Sequence, residues 1–596
     1  MFLNKCINET TACSSPCGLP CSAVIAYPRN SFSPWLTTGR KLGRSRVLRC
    51  FTIISKPCSI EANQCRSANY HPSIWDPELI ESLTTPYSYE FHGTKLENLK
   101  KEAKNLLAFV QDPSATLNLI DLIQRLGVAY HFGKEIDEAL NNVRRKTVTE
   151  DLYTTSLLFR ILREHGYPIS TDVFNRFRGR DGKFMDTLGA DVAGLLSLYE
   201  ASHLGMHGED VMEEAKRFST EHLKSSLGKL DCDLCIQVQQ SLQVPLHWKM
   251  PRIEARTFID VYQKQDTKNS TLIELAMLDY NLVQSVYQQE LKELATWWRD
   301  LGLKEKMSFS RDRLMENYIW AMGIICEPEF SKCRMYLTKF VCILTAIDDM
   351  YDVYGLLDEL ELFTRAVNQW DIRAMKDLPE YMRACYLALL NFVNDLGHGI
   401  LKDHGFNIAR YIREEWKKLC QSYLTEAKWF DNGYTPALKE YLENAWISVG
   451  GPAAIVHASI LQPGSMTEKS LDHGFKHGRE LIYWSSLITR LSDDLGTSEA
   501  ESARGDVAKS TECYMIEGGM SKEEARQHIK GLIAHSWEKL NEESYKNSLP
   551  RSMTKMCLNM ARTAQCIFRH GDGIGTSSGA TKDLLISLIV EPITSD

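Results

Sequence analysis

From about Asn69 onward the apolar positions recur with a helical period. Leu119, Leu122, Ile123 and Leu126 stand at i, i+3, i+4 and i+7, the stripe of a helix with one buried face. Leu158, Ile161 and Leu162 repeat the pattern, and that run meets Gly166, a predicted stop behind Arg163 and His165. Leu195, Leu198, Tyr199 and Ser202 form a third stripe that ends at Gly205. Period-two alternation is scarce, and hairpin signals are nearly absent. There is no glycine-rich nucleotide fingerprint and no Gly-x-Ser-x-Gly elbow. The pattern predicts an all-α protein. Residues 263–270 are polar throughout and interrupt it, which predicts two helical domains over 61–268 and 269–596.

Composition narrows the class. The chain has 596 residues, of which 44% are apolar and 24% charged, values of a globular protein large enough for at least two cores. The net charge of −8 hides an asymmetry. Residues 1–60 hold eight Lys and Arg and a single acid, Glu9, so they carry +7 and the rest carries −15. A body that acidic is unsuited to nucleic acid. The leader is rich in Ser and Thr and holds Arg40, Lys41, Arg44, Arg46 and Arg49, which reads as a transit peptide removed in the mature chain. No apolar run approaches 18 residues, so no membrane span is expected. Seven of the 17 cysteines fall within the first 65 residues. Cys232 and Cys235 form a lone CxxC without further ligands at zinc spacing, and read as ordinary thiols.

The chemistry lies in two acidic stripes. Asp348, Asp349 and Asp352 follow the apolar run 340–347, so the carboxylates emerge at the end of a core helix, with Asp348 and Asp352 one turn apart on one face. Carboxylates packed so closely take up protons unless cations neutralise them. Clustered hard oxygens suit Mg²⁺ or Mn²⁺, and Mg²⁺ commonly works with substrate phosphates. Asp493, Thr497 and Glu501 form a second stripe at i, i+4 and i+8. Arg490 precedes it by one turn, Lys509 follows it, and Arg311 opens a further helical stretch. Two metal-binding stripes with several cations describe a pocket for a diphosphate.

With these residues in place the chain resembles the plant terpene synthases of class I, and among them the angiosperm monoterpene synthases. The resemblance is carried by residues 66–75, from Arg66 to Trp75, and by Arg311 to Arg313. It continues through Asp348, Asp349, Asp352 and Gly355, then Arg490, Asp493, Asp494, Thr497, Glu501, Arg504 and Asp506, and ends at His570 to Gly573. It spans about residues 65–594. It implies an α-barrel-like N-terminal helical domain and a C-terminal α-bundle that holds the active site. It further implies three divalent ions, two on Asp348 and Asp352 and one on Asp493, Thr497 and Glu501, with Arg311, Arg490 and Lys509 on the diphosphate. Asp349 is a pocket candidate by its place in the motif. The partner implied is a small prenyl diphosphate, the location the chloroplast stroma, and the assembly a monomer or weak homodimer. An Asp-x-Asp-Asp motif in the N-terminal half is absent, so protonation-initiated cyclisation is not expected.

The resemblance also assigns the interior. Trp320 falls on the pocket wall by family position, Tyr423 and Phe568 are further aromatic candidates for the cation, and His570 is placed to accept a proton or cap the pocket. Residues 447–452 contain Gly450, Gly451 and Pro452 and read as a broken helix. Five-carbon isoprene synthases shorten the pocket with phenylalanines where this chain has Val341 and Thr489, which favours a C10 substrate over C5. One departure stands out: the family's tandem arginine is here Cys65-Arg66, with Trp75 at the usual distance. That pair is associated with the isomerisation that precedes ring closure, so its loss tilts the expectation toward an acyclic product, linalool, myrcene or ocimene. The alternatives are a cyclic product of the terpineol or limonene type and a sesquiterpene synthase using farnesyl diphosphate. An elongating prenyltransferase would carry a second Asp-Asp-x-x-Asp, and a non-catalytic helical binding protein would release no diphosphate.

Overall fold

The helices begin where short polar side chains cap them. Asp112 accepts a hydrogen bond from the Ala115 N–H at 2.7 Å and Pro113 supplies the first helical residue, which starts the helix Pro113–Arg125. Asp151 does the same for Leu152–Glu164 through Thr154 at 2.7 Å, and that helix ends at His165 and a left-handed Gly166 with φ +71°. The computed structural model describes residues 68–146, 150–229, 232–462, 467–546, 549–575 and 579–594. The expected transit peptide, Cys65 and Arg66 lie outside the described residues. Among the described residues there are helices, turns and one isolated bridge between Arg178 and Phe184, and no helix is long and apolar enough to cross a membrane.

The chain is all-α with two helical domains. In the N-terminal one, Ile123 and Leu126 of the expected stripe lie in the buried seam, while Leu119 and Leu122 sit one step round from it. Leu117, Ile120 and Ile123 are fully buried, while Leu119 and Leu122 flank them half-covered. The apolar face is wider than a single stripe because the helix lies between Gly133–Lys146 and Leu152–Glu164. Each such Leu or Ile contributes about 1.5–3 kcal/mol on full burial.

The polar residues 263–269 form the turn between Pro251–Tyr262 and the 32-residue helix Ser270–Leu301, whose cap is Asn269. That helix serves both cores. Leu272, Leu275 and Leu282 pack among N-terminal helices, whereas Tyr287, Leu291 and Leu294 pack with Trp75, Tyr318 and the C-terminal Leu588. Its polar residues hold the chain end: Gln288 donates to the Ile589 carbonyl at 2.8 Å, and Asn281 exchanges two bonds of 2.8 Å with Ile593. A buried pair, Arg334 with Glu290 at 2.6 Å, ties the same helix to Ser331–Asp349. The C-terminal helices surround a further core in which Phe340, Ile347, Trp416, Ile455 and Leu491 are almost wholly buried.

Candidate active site

One wall is the end of Ser331–Asp349. Phe340, Ile343, Ala346 and Ile347 anchor this helix in the core, and it runs into one wider, π-type turn over Met350–Tyr354. Such turns are rare and recur at functional sites. Asp348 and Asp352 both line the cavity that opens here. Asp349 does not. One residue further round, it turns into the protein and accepts hydrogen bonds from Ser310 Oγ at 2.9 Å and the Arg311 N–H at 2.7 Å. The expectation that Asp349 faces the pocket is thereby corrected: it is fully buried and holds Arg311 in place. Arg311 spans the pair, with Nη2 2.7 Å from Asp348 Oδ2 and Nε 2.8 Å from Asp349 Oδ1.

The facing wall is the helix Arg479–Arg504, from which Asp493, Thr497 and Glu501 line the same cavity. Arg490 is ion-paired with Asp493 and lies 2.8 Å from Asp494 Oδ1. Asp494 is buried and also accepts from the Ser510 N–H and from the Tyr441 hydroxyl, each at 3.1 Å. It therefore fixes the turn that presents Lys509, whose Nζ stands 3.9 Å from Glu501 Oε2.

The interior is apolar. Trp320, Phe340, Val341, Tyr423, Thr489 and Phe568 line it, and the Trp320 and Phe568 rings lie 6.0 Å apart. Its far side is the break between Leu438–Ser448 and Gly451–Ile460. Gly450 has φ +77°, a left-handed conformation that favours glycine, and a Cβ there would displace the tip of the Leu344 side chain, 2.4 Å away. Pro452 has no N–H to offer the Ser448 carbonyl four residues back. His570 is not brought into this cavity. It is exposed and lines a neighbouring one with Trp248 and Gln243, because the chain turns outward after Phe568. The loop returns to the cavity at Asp572 and Ile574.

Sequence reasoning gave no role to five residues at or behind the site, Tyr70, Asp494, Arg504, Asp506 and Asp572. Tyr70 lies between two guanidinium groups, 5.1 Å from that of Arg311 and 5.7 Å from that of Arg504. Arg504 and Asp506 pair at 3.0 Å and line the mouth, as does Asp572. A faint signal existed for Asp494, since Asp493-Asp494 repeats the doublet Asp348-Asp349. For Tyr70 the one signal was its place within the stretch 66–75, which is far from the rest in the chain. Its segment is docked by Trp75, which donates to buried Glu316 at 3.2 Å, and by Arg313, which donates to the His71 carbonyl at 2.7 Å.

The electrostatics fit bound cations. Burial pushes the Asp352 carboxyl well above its ordinary range, and Asp348 adds to this while Lys509 opposes it. Burial pushes Asp493 up to about 7 against the pull of Arg490. Burial raises Glu501 too, but Lys509, Arg490 and Arg504 outweigh it and hold that carboxyl below its usual value. Lys509 and Arg311 stay cationic because the carboxylates beside them outweigh the cost of burial. The buried Tyr423 hydroxyl and Glu501 Oε2 have no hydrogen-bond partner. Among the described residues, the His, Cys, Asp and Glu ligand atoms of the two walls do not gather in threes within 4.8 Å of one another. That is the arrangement expected when ions are shared with substrate phosphate oxygens.

Residues 299–539 match the family described as "Terpene synthase family, metal binding domain", and residues 74–242 match "Terpene synthase, N-terminal domain". The chain is 59% identical over 578 residues to "Probable terpene synthase 9" of Ricinus communis, covering 96% of this chain and 98% of that one. It is 58% identical over 532 residues to "Trans-ocimene synthase, chloroplastic" of Litsea cubeba, covering 89% and 91%. Its fold matches limonene synthase solved with 2-fluorolinalyl diphosphate at a TM-score of 0.87, with 40% identity over 89% of this chain and all of that one. Isoprene synthase from grey poplar leaves, solved with three Mg²⁺ ions and dimethylallyl-S-thiolodiphosphate, matches at 0.80 with 38% identity over 88% and 99%.

Proposed function

The chain belongs to the terpene synthase family, lyases that act on prenyl diphosphates, and from that footing we propose that it is a plastid monoterpene synthase that ionises geranyl diphosphate with Mg²⁺ and releases an acyclic C10 product. The observation that carries the reading is one cavity with two carboxylate walls, four cations (Arg311, Arg490, Arg504 and Lys509) and an apolar, aromatic interior behind them.

Asp348 and Asp352 would hold ions on one side, and Asp493, Thr497 and Glu501 an ion on the other. When bound, the ions supply Lewis-acid stabilisation of the charge that develops on the diphosphate. Arg311, Arg490 and Lys509 donate charge-assisted hydrogen bonds to the same oxygens. The allylic C–O bond breaks with its electron pair on the diphosphate, and the C10 chain is left as a cation. Trp320, Tyr423 and Phe568 offer it ring faces, worth about 0.5–2 kcal/mol each. Loss of a proton then gives myrcene or ocimene, and addition of water followed by loss of a proton from the new oxygen gives linalool.

Three features support the finer parts. Val341 and Thr489 both line the cavity and leave room that phenylalanines would fill. Cys65 stands where the family carries the first of two arginines, and a relative at 58% identity is named for the acyclic product trans-ocimene. The basic, Ser- and Thr-rich residues 1–60 agree with a plastid leader, and we place the domain boundary in the polar turn 263–269. The test is chiral gas chromatography–mass spectrometry of products formed with Mg²⁺ from geranyl and, in parallel, farnesyl diphosphate. A dominant acyclic C10 product is expected. A cyclic C10 product would overturn the acyclic assignment, and C15 products alone would overturn the substrate.

A further inference from the structure

A different set of ligands meets where the two helical domains touch. His535 and Glu538 stand three residues apart on the helix Lys522–Lys546 and project from one face. His207 comes from the N-terminal domain, in the loop between Val192–Ser202 and Asp210–Ser226. One ligand atom from each of the three lies within 4.8 Å of the others. The two imidazoles meet edge to face, with ring centroids 5.0 Å apart and planes at 87°.

The loop that carries His207 is built onto the helix that carries the other two. Asn541, one turn beyond Glu538 and buried, donates to the carbonyls of His203 and Gly205, each at 3.0 Å. Its own oxygen lies 2.8 Å from His247 Nε2. On the other side of His207, Glu209 receives Arg163 through both oxygens, at 2.6 and 2.5 Å, and also the Met206 N–H at 2.9 Å. The backbone on both flanks of His207 is therefore held, which lowers the ordering cost of binding.

We propose that His207, His535 and Glu538 bind a transition-metal dication, Zn²⁺ first, which bridges the two domains. Two imidazoles and one carboxylate suit a borderline ion of that kind and disfavour Mg²⁺. The site is therefore chemically distinct from the all-oxygen walls of the cavity. His207 is exposed, so the remaining coordination position is open to water. Lys216 lies 3.9 Å from Glu538, and the ion competes with it for that carboxylate, which makes the site reversible rather than a permanent structural centre.

Cobalt(II) titration of the full chain, with excess Mg²⁺ present to occupy the carboxylate walls, tests this directly. The expected result is the intense visible absorption of a four-coordinate cobalt centre at one equivalent, bleached by Zn²⁺, with a melting temperature raised by several degrees when Zn²⁺ is added. His207→Ala and Glu538→Gln should each remove both signals while leaving the metal-free melting temperature and the Mg²⁺-dependent turnover unchanged. Absence of the band in the unaltered chain, or its survival in either variant, would overturn the proposal.

Discussion

The two acidic walls are built from the same parts by different routes. On each, one aspartate of a doublet lines the cavity, Asp348 or Asp493, while its neighbour, Asp349 or Asp494, is buried and holds an arginine. On the Asp493 side the arginine is local: Arg490 lies on the same helix, one turn away. On the Asp348 side it is Arg311, which arrives from a loop 37 residues earlier. The Asp493 wall is one unbroken helix, whereas the Asp348 wall changes winding between its two carboxylates. Each wall thus pairs a carboxylate doublet with an arginine, by a different local route.

The hardest break is at the buried supports. Asp494→Ala leaves Arg490 without its buried partner and frees the Lys509 turn, and should cost about 3–5 kcal/mol in chemical denaturation. Asp349→Ala removes the same kind of support from Arg311, so comparable losses for the two variants would establish the equivalence of the walls. Next comes the lining itself. Asp348→Ala should lower kcat by about 10²–10³-fold with unchanged helical circular dichroism. Full activity would remove Asp348 from the metal-binding set.

Thr497→Val sharpens the comparison, since the second wall alone uses a hydroxyl between its carboxylates. A loss of about 10–100-fold in apparent Mg²⁺ affinity is expected, read from the metal dependence of turnover. A smaller change is expected inside the cavity. Val341→Phe should shift the ratio of kcat/KM for five-carbon over ten-carbon substrate by about 10–200-fold, the worth of a small change in pocket shape. The smallest effect belongs to Tyr70→Leu. It removes a ring shared by Arg311 and Arg504, worth about 0.5–2 kcal/mol, and should appear as a several-fold rise in KM.

The helical class, the polar turn at 263–269, the break at Gly450 to Pro452 and both acidic stripes could be read from the chain, because each depends on residues within a few positions of one another. Local periodicity and capping decide such features. The Asp493, Thr497 and Glu501 spacing needed only an unbroken helix to become a wall, and the helix is unbroken. The inward turn of Asp349, the exposure of His570, the place of Tyr70 between two arginines and the meeting of His207 with His535 were not legible. Each depends on which faces pack together and on segments far apart in sequence. The sequence by itself determined the helices and the inventory of oxygen ligands. Tertiary packing alone decided which carboxylates face the cavity and which are spent on holding its cations, because burial and distance, not residue type, divide a doublet of identical aspartates into two roles.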